Sequence, residues 1–158
     1  MKKVMNRKLT KDKIAEKLKI VRDFLKGDAL IMANYILGVP AETIKEIEET
    51  IQLAADLGFL TDWASFYCYM PLPSTELYRR AVEERCINPD RIDFSHLNAQ
   101  ESIMQLPRLN PKEITFIRTL ANYKILFFLN KHIQDNPPKA IESFQYALSI
   151  CPEHCFAF

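Results

Sequence analysis

No run of apolar residues in this chain of 158 approaches the roughly 20 needed to cross a bilayer. The longest candidate carries Asn34 and stops at Gly38, so a membrane protein is not expected. The amino-terminal stretch lacks the basic and then apolar signature of a secretory signal. Cysteine patterning is missing too: Cys68, Cys86, Cys151 and Cys155 are irregularly placed. A chain of this size buries about two thirds of its unfolded surface without disulfide staples. The expectation is a reduced, cytoplasmic protein.

Net charge is also small, at +1, but it is unevenly spread. Lys2, Lys3, Arg7, Lys8, Lys11, Lys13, Lys17, Lys19, Arg22 and Lys26 precede Gly27, whereas Glu42 to Glu49 is acidic. The basic segment has no interleaved aromatics and no recognisable nucleic-acid module, so it reads as a solvated helix face and a nucleic-acid partner is not expected. Internal repeats are absent as well. Only Ala140 to Ala157 faintly resembles the second helix of a tetratricopeptide unit.

What the chain does have is alternation. Thr10 to Lys26 reads as an amphipathic helix with Ile14, Leu18, Val21 and Leu25 on one stripe, Thr10 as its cap and Gly27 past its end. Ala29 to Leu37 is the most strand-like run, closed by Gly38 and Pro40. Thr43 and Glu46 form a capping box for a helix carrying Ile44, Ile47, Ile51 and Ala54 on one face, and Gly58 closes it. Thr61 to Met70 is a second strand, ended by Pro71-Leu-Pro-Ser74, with Ser74 placed to cap a helix whose apolar face is Leu77, Tyr78, Ala81 and Val82. Arg85 to Leu109 is a long irregular connection. Asn110, Pro111 and Glu113 then open a helix through Phe128, and Asn136-Pro-Pro138 opens another to about Ile150. The order α, β, α, β, α predicts parallel strands in an α/β sheet or barrel, which two strands cannot complete.

The motifs carry a resemblance. Tyr35-Ile-Leu-Gly-Val-Pro-Ala-Glu-Thr43, followed by Ile-x-x-Thr-Ile at Ile47 to Ile51, resembles the fifth strand and following helix of radical S-adenosylmethionine enzymes. Asn6-Arg-Lys-Leu-Thr10 is similar to the segment after their fourth strand, and Trp63 to Leu77 to the sixth strand and its exit. The connection and the helix from Asn110 resemble the tail of members with a cobalamin-binding domain upstream. The resemblance thus implies a partial (β/α) barrel fragment, the last two strands and their helices, over residues 1–85, followed by a connection and helical tail over 86–158.

There are departures. The C-x-x-x-C-x-x-C loop that holds the family's 4Fe-4S cluster is not found, so the cluster is expected only in a full-length relative, and cobalamin likewise. Ala41 and Ser74 stand where the family usually has glycine, which should stiffen or slightly shift two loops, because alanine and serine resist positive φ.

Barrel ligands bind where strand ends open into loops. By resemblance, Ile36 and Gly38 would lie against the adenine of S-adenosylmethionine, the backbone near Tyr69 and Met70 would meet its edge, and Arg7 would be the cation for its carboxylate. The plain readings are a core residue, a turn and one more surface charge. No residue is assigned a catalytic or metal-binding role. Glu42 is explained by the dipole of the following helix, and Asp62 and Trp63 by strand entry and packing. His96 and His132 have no evident partners, and Cys151-Pro-Glu-His-Cys155 lacks a third cysteine at family spacing. The expected function is a carboxy-terminal radical S-adenosylmethionine fragment, inactive alone, whose partner is a separate amino-terminal half or another copy of itself. The rival is a helix-rich interaction module without catalytic activity.

Overall fold

Backbone hydrogen bonding decides where each element starts and stops. A computed structural model describes residues 10–26, 28–95 and 97–125 together with Pro138, Ile141, Gln145 and Ser149. In chain order the described elements are α1 (Lys11–Leu25), β1 (Met32–Leu37), α2 (Ile44–Asp56), β2 (Trp63–Cys68), α3 (Glu76–Glu83), a 3-10 turn (Pro89–Arg91) and α4 (Pro111–Tyr123). The expected Arg7 role, the Gly27 stop, His96, His132, the terminal cysteine motif and most of the helix past Asn136 lie outside the described residues, although Pro138, Ile141, Gln145 and Ser149 of that stretch are helical.

The caps are where local chemistry places them. The Thr10 hydroxyl accepts from Lys13 N, and both Thr43/Glu46 and Asn110/Glu113 close complete capping boxes. One assignment is corrected. Thr75, not Ser74, caps α3: Thr75 is extended and accepts from Tyr78 N, while Ser74 has φ 68° and cannot present its side chain as a cap does. Both strands are shorter than expected, because Ala29, Leu30, Thr61 and Met70 find no ladder partner among the described residues.

β1 and β2 pair in parallel, with Ala33 opposite Ala64, Tyr35 opposite Phe66 and Leu37 opposite Cys68. Successive residues point to opposite faces of a strand, and burial divides the sheet accordingly. Leu37, Ala64, Phe66 and Cys68 are buried and Ala33 and Tyr35 half-buried, with Tyr35 and Phe66 stacked at 5.1 Å. The other face, with Met32, Asn34, Ile36, Trp63, Ser65 and Tyr67, is exposed or half-exposed. This is a mixed α/β arrangement with one two-stranded parallel sheet and four α-helices among the described residues.

The core lies on the covered face. Ile47 and Ala54 of α2 and Ile114, Ala121 and Ile125 of the last described helical stretch join Leu37 and Phe66 there. The connection is irregular but not peripheral, since Cys86, Ile87, Met104, Leu106 and Leu109 enter the same cluster. Fully burying a side chain such as Phe66 or Ile47 contributes about 1.5–3 kcal/mol.

α1 is held differently. It has no fully buried residue; Val21 is exposed, and Arg22 takes the inward place. Arg22 pairs with Asp62 at 2.9 Å and donates to Leu60 O at 3.0 Å, while Asp62 also accepts from Ile31 N at 2.8 Å. Asp62 does mark the strand entry, and it also ties α1 to both strands. Trp63 is 43% exposed and donates its indole N–H to Ser65, so it is not a packed residue.

Candidate functional site

Parallel pairing brings the carboxyl ends of β1 and β2 to the same end of the sheet, and one bond locks their exits together: Tyr69 N donates to Leu37 O at 2.8 Å. Gly38 therefore lies beside Tyr69, just past the end of the ladder, and Ile36 lies opposite Tyr67, two residues before Tyr69. The structure brings the expected residues Ile36, Gly38, Tyr69 and Met70 together at one end. Arg7 is outside the described residues.

The β1 exit is built around Glu42. Its Oε2 accepts from Gly38 N at 2.6 Å and Val39 N at 3.3 Å, and Glu42 N returns a bond to Val39 O at 3.1 Å. The carboxylate is thus a strut inside the loop and lies before the α2 cap, a more specific role than favouring the helix dipole. It is only 3% exposed, and its Oε1 has no hydrogen-bond partner among the described residues. Burial raises its pKa to about 7 against the lowering effect of the two backbone amides.

Gly38 is required twice over. Its φ is 81°, and a Cβ there would lie 3.0 Å from Ile114 Cγ2 of α4. Two other exit residues share the left-handed conformation: Ala41 with φ 61° and Ser74 with φ 68°. Ala41 and Ser74 thus hold a positive φ that glycine adopts more easily, at a cost in backbone strain.

Ile36 is 41% exposed on the uncovered face, opposite Tyr67 in register, and so is not a core residue. Tyr69 is buried, its hydroxyl lacks a partner among the described residues, and burial raises its pKa. Met70 is half-buried, and its amide enters no hydrogen bond among the described residues. An exposed branched side chain beside unused backbone polar groups suits an adenine ring, which needs apolar contact and edge hydrogen bonds. Ile36 and Met70 thus leave an exposed apolar side chain and, among the described residues, an unused backbone amide at this end of the sheet.

The described residues do not fit an iron–sulfur cluster. No group of three His, Cys, Asp or Glu side chains among the described residues could hold a metal ion. Cys68 and Cys86 are buried and free, and burial pushes both thiols up, away from the thiolate that would ligate iron.

Sequence reasoning missed two further participants. Asn122 of α4 accepts from Phe66 N at 2.8 Å and donates to Phe66 O at 2.9 Å, and Ala99 O accepts from Cys68 N at 2.8 Å. Together they cover the outer edge of β2. The spacing of Glu42 from Gly38 was a readable local signal, whereas nothing in the sequence near Phe66 points to Asn122.

Three curated proteins place these features in context. Over 130 residues the chain is 27% identical to the anaerobic magnesium-protoporphyrin IX monomethyl ester cyclase of Rubrivivax gelatinosus, covering 82% of this chain and 22% of that protein. Over 73 residues it is 36% identical to the ribosomal protein uS12 methylthiotransferase of Bdellovibrio bacteriovorus, covering 46% and 15% respectively. Over 64 residues it is 33% identical to the tRNA-2-methylthio-N(6)-dimethylallyladenosine synthase of Thermus thermophilus, covering 40% and 13%. The chain therefore spans less than a quarter of the length of these relatives. No family model and no solved structure matches it. The matched proteins are radical S-adenosylmethionine enzymes, and this chain is a distant relative of that family.

Proposed function

We propose that the chain forms the carboxy-terminal part of a radical S-adenosylmethionine enzyme core with its tail. Residues 1–85 supply the last two strands of a partial barrel and residues 86–158 the connection and tail, of the kind found in the cobalamin-associated group. The observation that carries this reading is the joined pair of strand exits, in which the Gly38 loop and the Tyr69–Met70 exit are held side by side by the Leu37–Tyr69 bond.

In this reading the uncovered sheet face is the inner wall of the barrel. Ile36 packs on the adenine, Gly38 allows close approach, the backbone at Tyr69 and Met70 reads the adenine edge, and Arg7 neutralises the carboxylate. Glu42 holds the loop that positions them. When bound, S-adenosylmethionine supplies a carbon–sulfur bond open to cleavage by one electron from an iron–sulfur cluster. The cluster ligands come from a segment outside these 158 residues, so the chain by itself is catalytically silent.

The sheet edges support this division. β2 is closed by Asn122 and Ala99, whereas the outward backbone groups of Met32, Asn34 and Ile36 on β1 have no partner among the described residues. An open edge of this kind recruits a strand, supplied here by the amino-terminal half of the enzyme or, failing that, by another copy. The test is to incubate the reduced, iron-reconstituted chain with S-adenosylmethionine, assay 5′-deoxyadenosine and measure mass by light scattering. The reading expects no product and an associated species. A monodisperse monomer that cleaves the cofactor would overturn it.

A further inference from the structure

A shallow groove of about 330 Å³ runs along β2 where the uncovered face meets α4. Its wall on the strand side carries Trp63, Ser65 and Tyr67, and on the helix side Arg118, Thr119 and Tyr123. Among the described residues none of the lining side chains is acidic, and Arg118 is the one cation. The Arg118 guanidinium is fixed, with Nη1 donating to Gln100 Oε1 at 2.8 Å and Nη2 to Gln100 O at 2.6 Å. No carboxylate pairs with it among the described residues.

We propose that this groove is a binding site for a planar aromatic anion, a flat ring carrying a phosphate or carboxylate. The aromatic side chains offer stacking surface to the ring. Each terminal nitrogen makes one of these bonds and carries a second N–H, and an arginine held by the neutral Gln100, with the Cys68 thiol beside it, retains its full charge for an anion. The volume lies at the small end for ligand sites, which suits a ring of nucleobase size. Tyr67 lies opposite Ile36 in the sheet register, so the groove adjoins the strand exit described above. The groove itself stands independently of the cofactor reading, and only the ligand's role as a reaction partner would rest on it.

The chain has a single tryptophan, and Trp63 lines the groove, so its fluorescence reports occupancy directly. Inosine 5′-phosphate is titrated against inosine and ribose 5-phosphate, with excitation at the red edge of the tryptophan band and no S-adenosylmethionine present. Saturable quenching by inosine 5′-phosphate, at least tenfold tighter than by either of the other two, is expected. Arg118→Gln should remove that preference for the anion. Thr119→Phe, which fills the groove from a half-exposed helix position, should abolish quenching with the circular dichroism unchanged. No saturable quenching, equal affinity for inosine and its phosphate, or undiminished binding in Thr119→Phe would overturn the proposal. None of these outcomes bears on whether the Gly38 loop receives S-adenosylmethionine.

Discussion

The side-chain amide of Asn122 stands in for a neighbouring strand at Phe66, accepting its N–H at 2.8 Å and donating to its carbonyl at 2.9 Å. A side chain 56 residues away thereby ends the sheet at β2. Replacing it with Ala leaves two partly buried backbone groups without partners, and each such loss costs about 1–3 kcal/mol. Asn122→Ala should lower stability by about 2–4 kcal/mol in urea denaturation, whereas Asn122→Asp should keep the Phe66 N–H bond and lose only the other.

Gly38 makes the opposite demand on α4. A methyl group there would meet Ile114 at 3.0 Å in a left-handed backbone. Gly38→Ala should cost about 2–4 kcal/mol, combining roughly 1–2 for the conformation with a packing clash. In an Ile114→Ala background, which lacks the Cγ2 methyl, Gly38→Ala should cost less than it does in the parent chain, which thermal denaturation of the single and double variants would show.

At Ala41 and Ser74 the change runs the other way. Each holds a positive φ with a Cβ, at 61° and 68°. Strain of about 1–2 kcal/mol would be released by glycine, and the more flexible unfolded chain takes back about 0.4–1 kcal/mol. Ala41→Gly and Ser74→Gly should each stabilise the fold by about 0.5–1 kcal/mol. A destabilised Ala41→Gly protein would argue against the loop path described.

Glu42 should make stability pH-dependent. Burial raises its folded pKa to about 7 from the ordinary 4.5, so the folded chain holds the proton more tightly than the unfolded one. Its contribution is fully present below about pH 4.5, falls as pH rises towards 7 and is lost above that. The integrated loss is on the order of 3 kcal/mol. Glu42→Gln, which keeps an acceptor for Gly38 N, should flatten this part of the denaturation profile; an unchanged slope would count against the buried carboxylate.

The difference between what was legible and what was not follows sequence distance. Thr43 with Glu46 and Asn110 with Glu113 are caps made within four residues, so their chemistry is readable in place. The α/β order and the parallel pairing followed from helices long enough to cross over. Ser74 misled because both it and Thr75 can cap, and only backbone conformation separates them. Val21 was expected inward and Arg22 outward, but the Asp62 carboxylate, 40 residues on, reverses the choice. Of the candidate site, Gly38 and its loop were visible as a motif. The burial of Glu42 and the edge formed by Asn122 depend on contacts that no local pattern encodes.

The central claim is that the two strand exits receive the adenine of S-adenosylmethionine. Photolabelling with an 8-azidoadenine derivative of the cofactor, followed by peptide mass spectrometry, reads this directly. The label is expected on the segments containing Ile36 to Gly38 and Tyr69 to Met70, and unmodified S-adenosylmethionine should compete it away. Label confined to other segments, or label at these that the cofactor fails to displace, would contradict it.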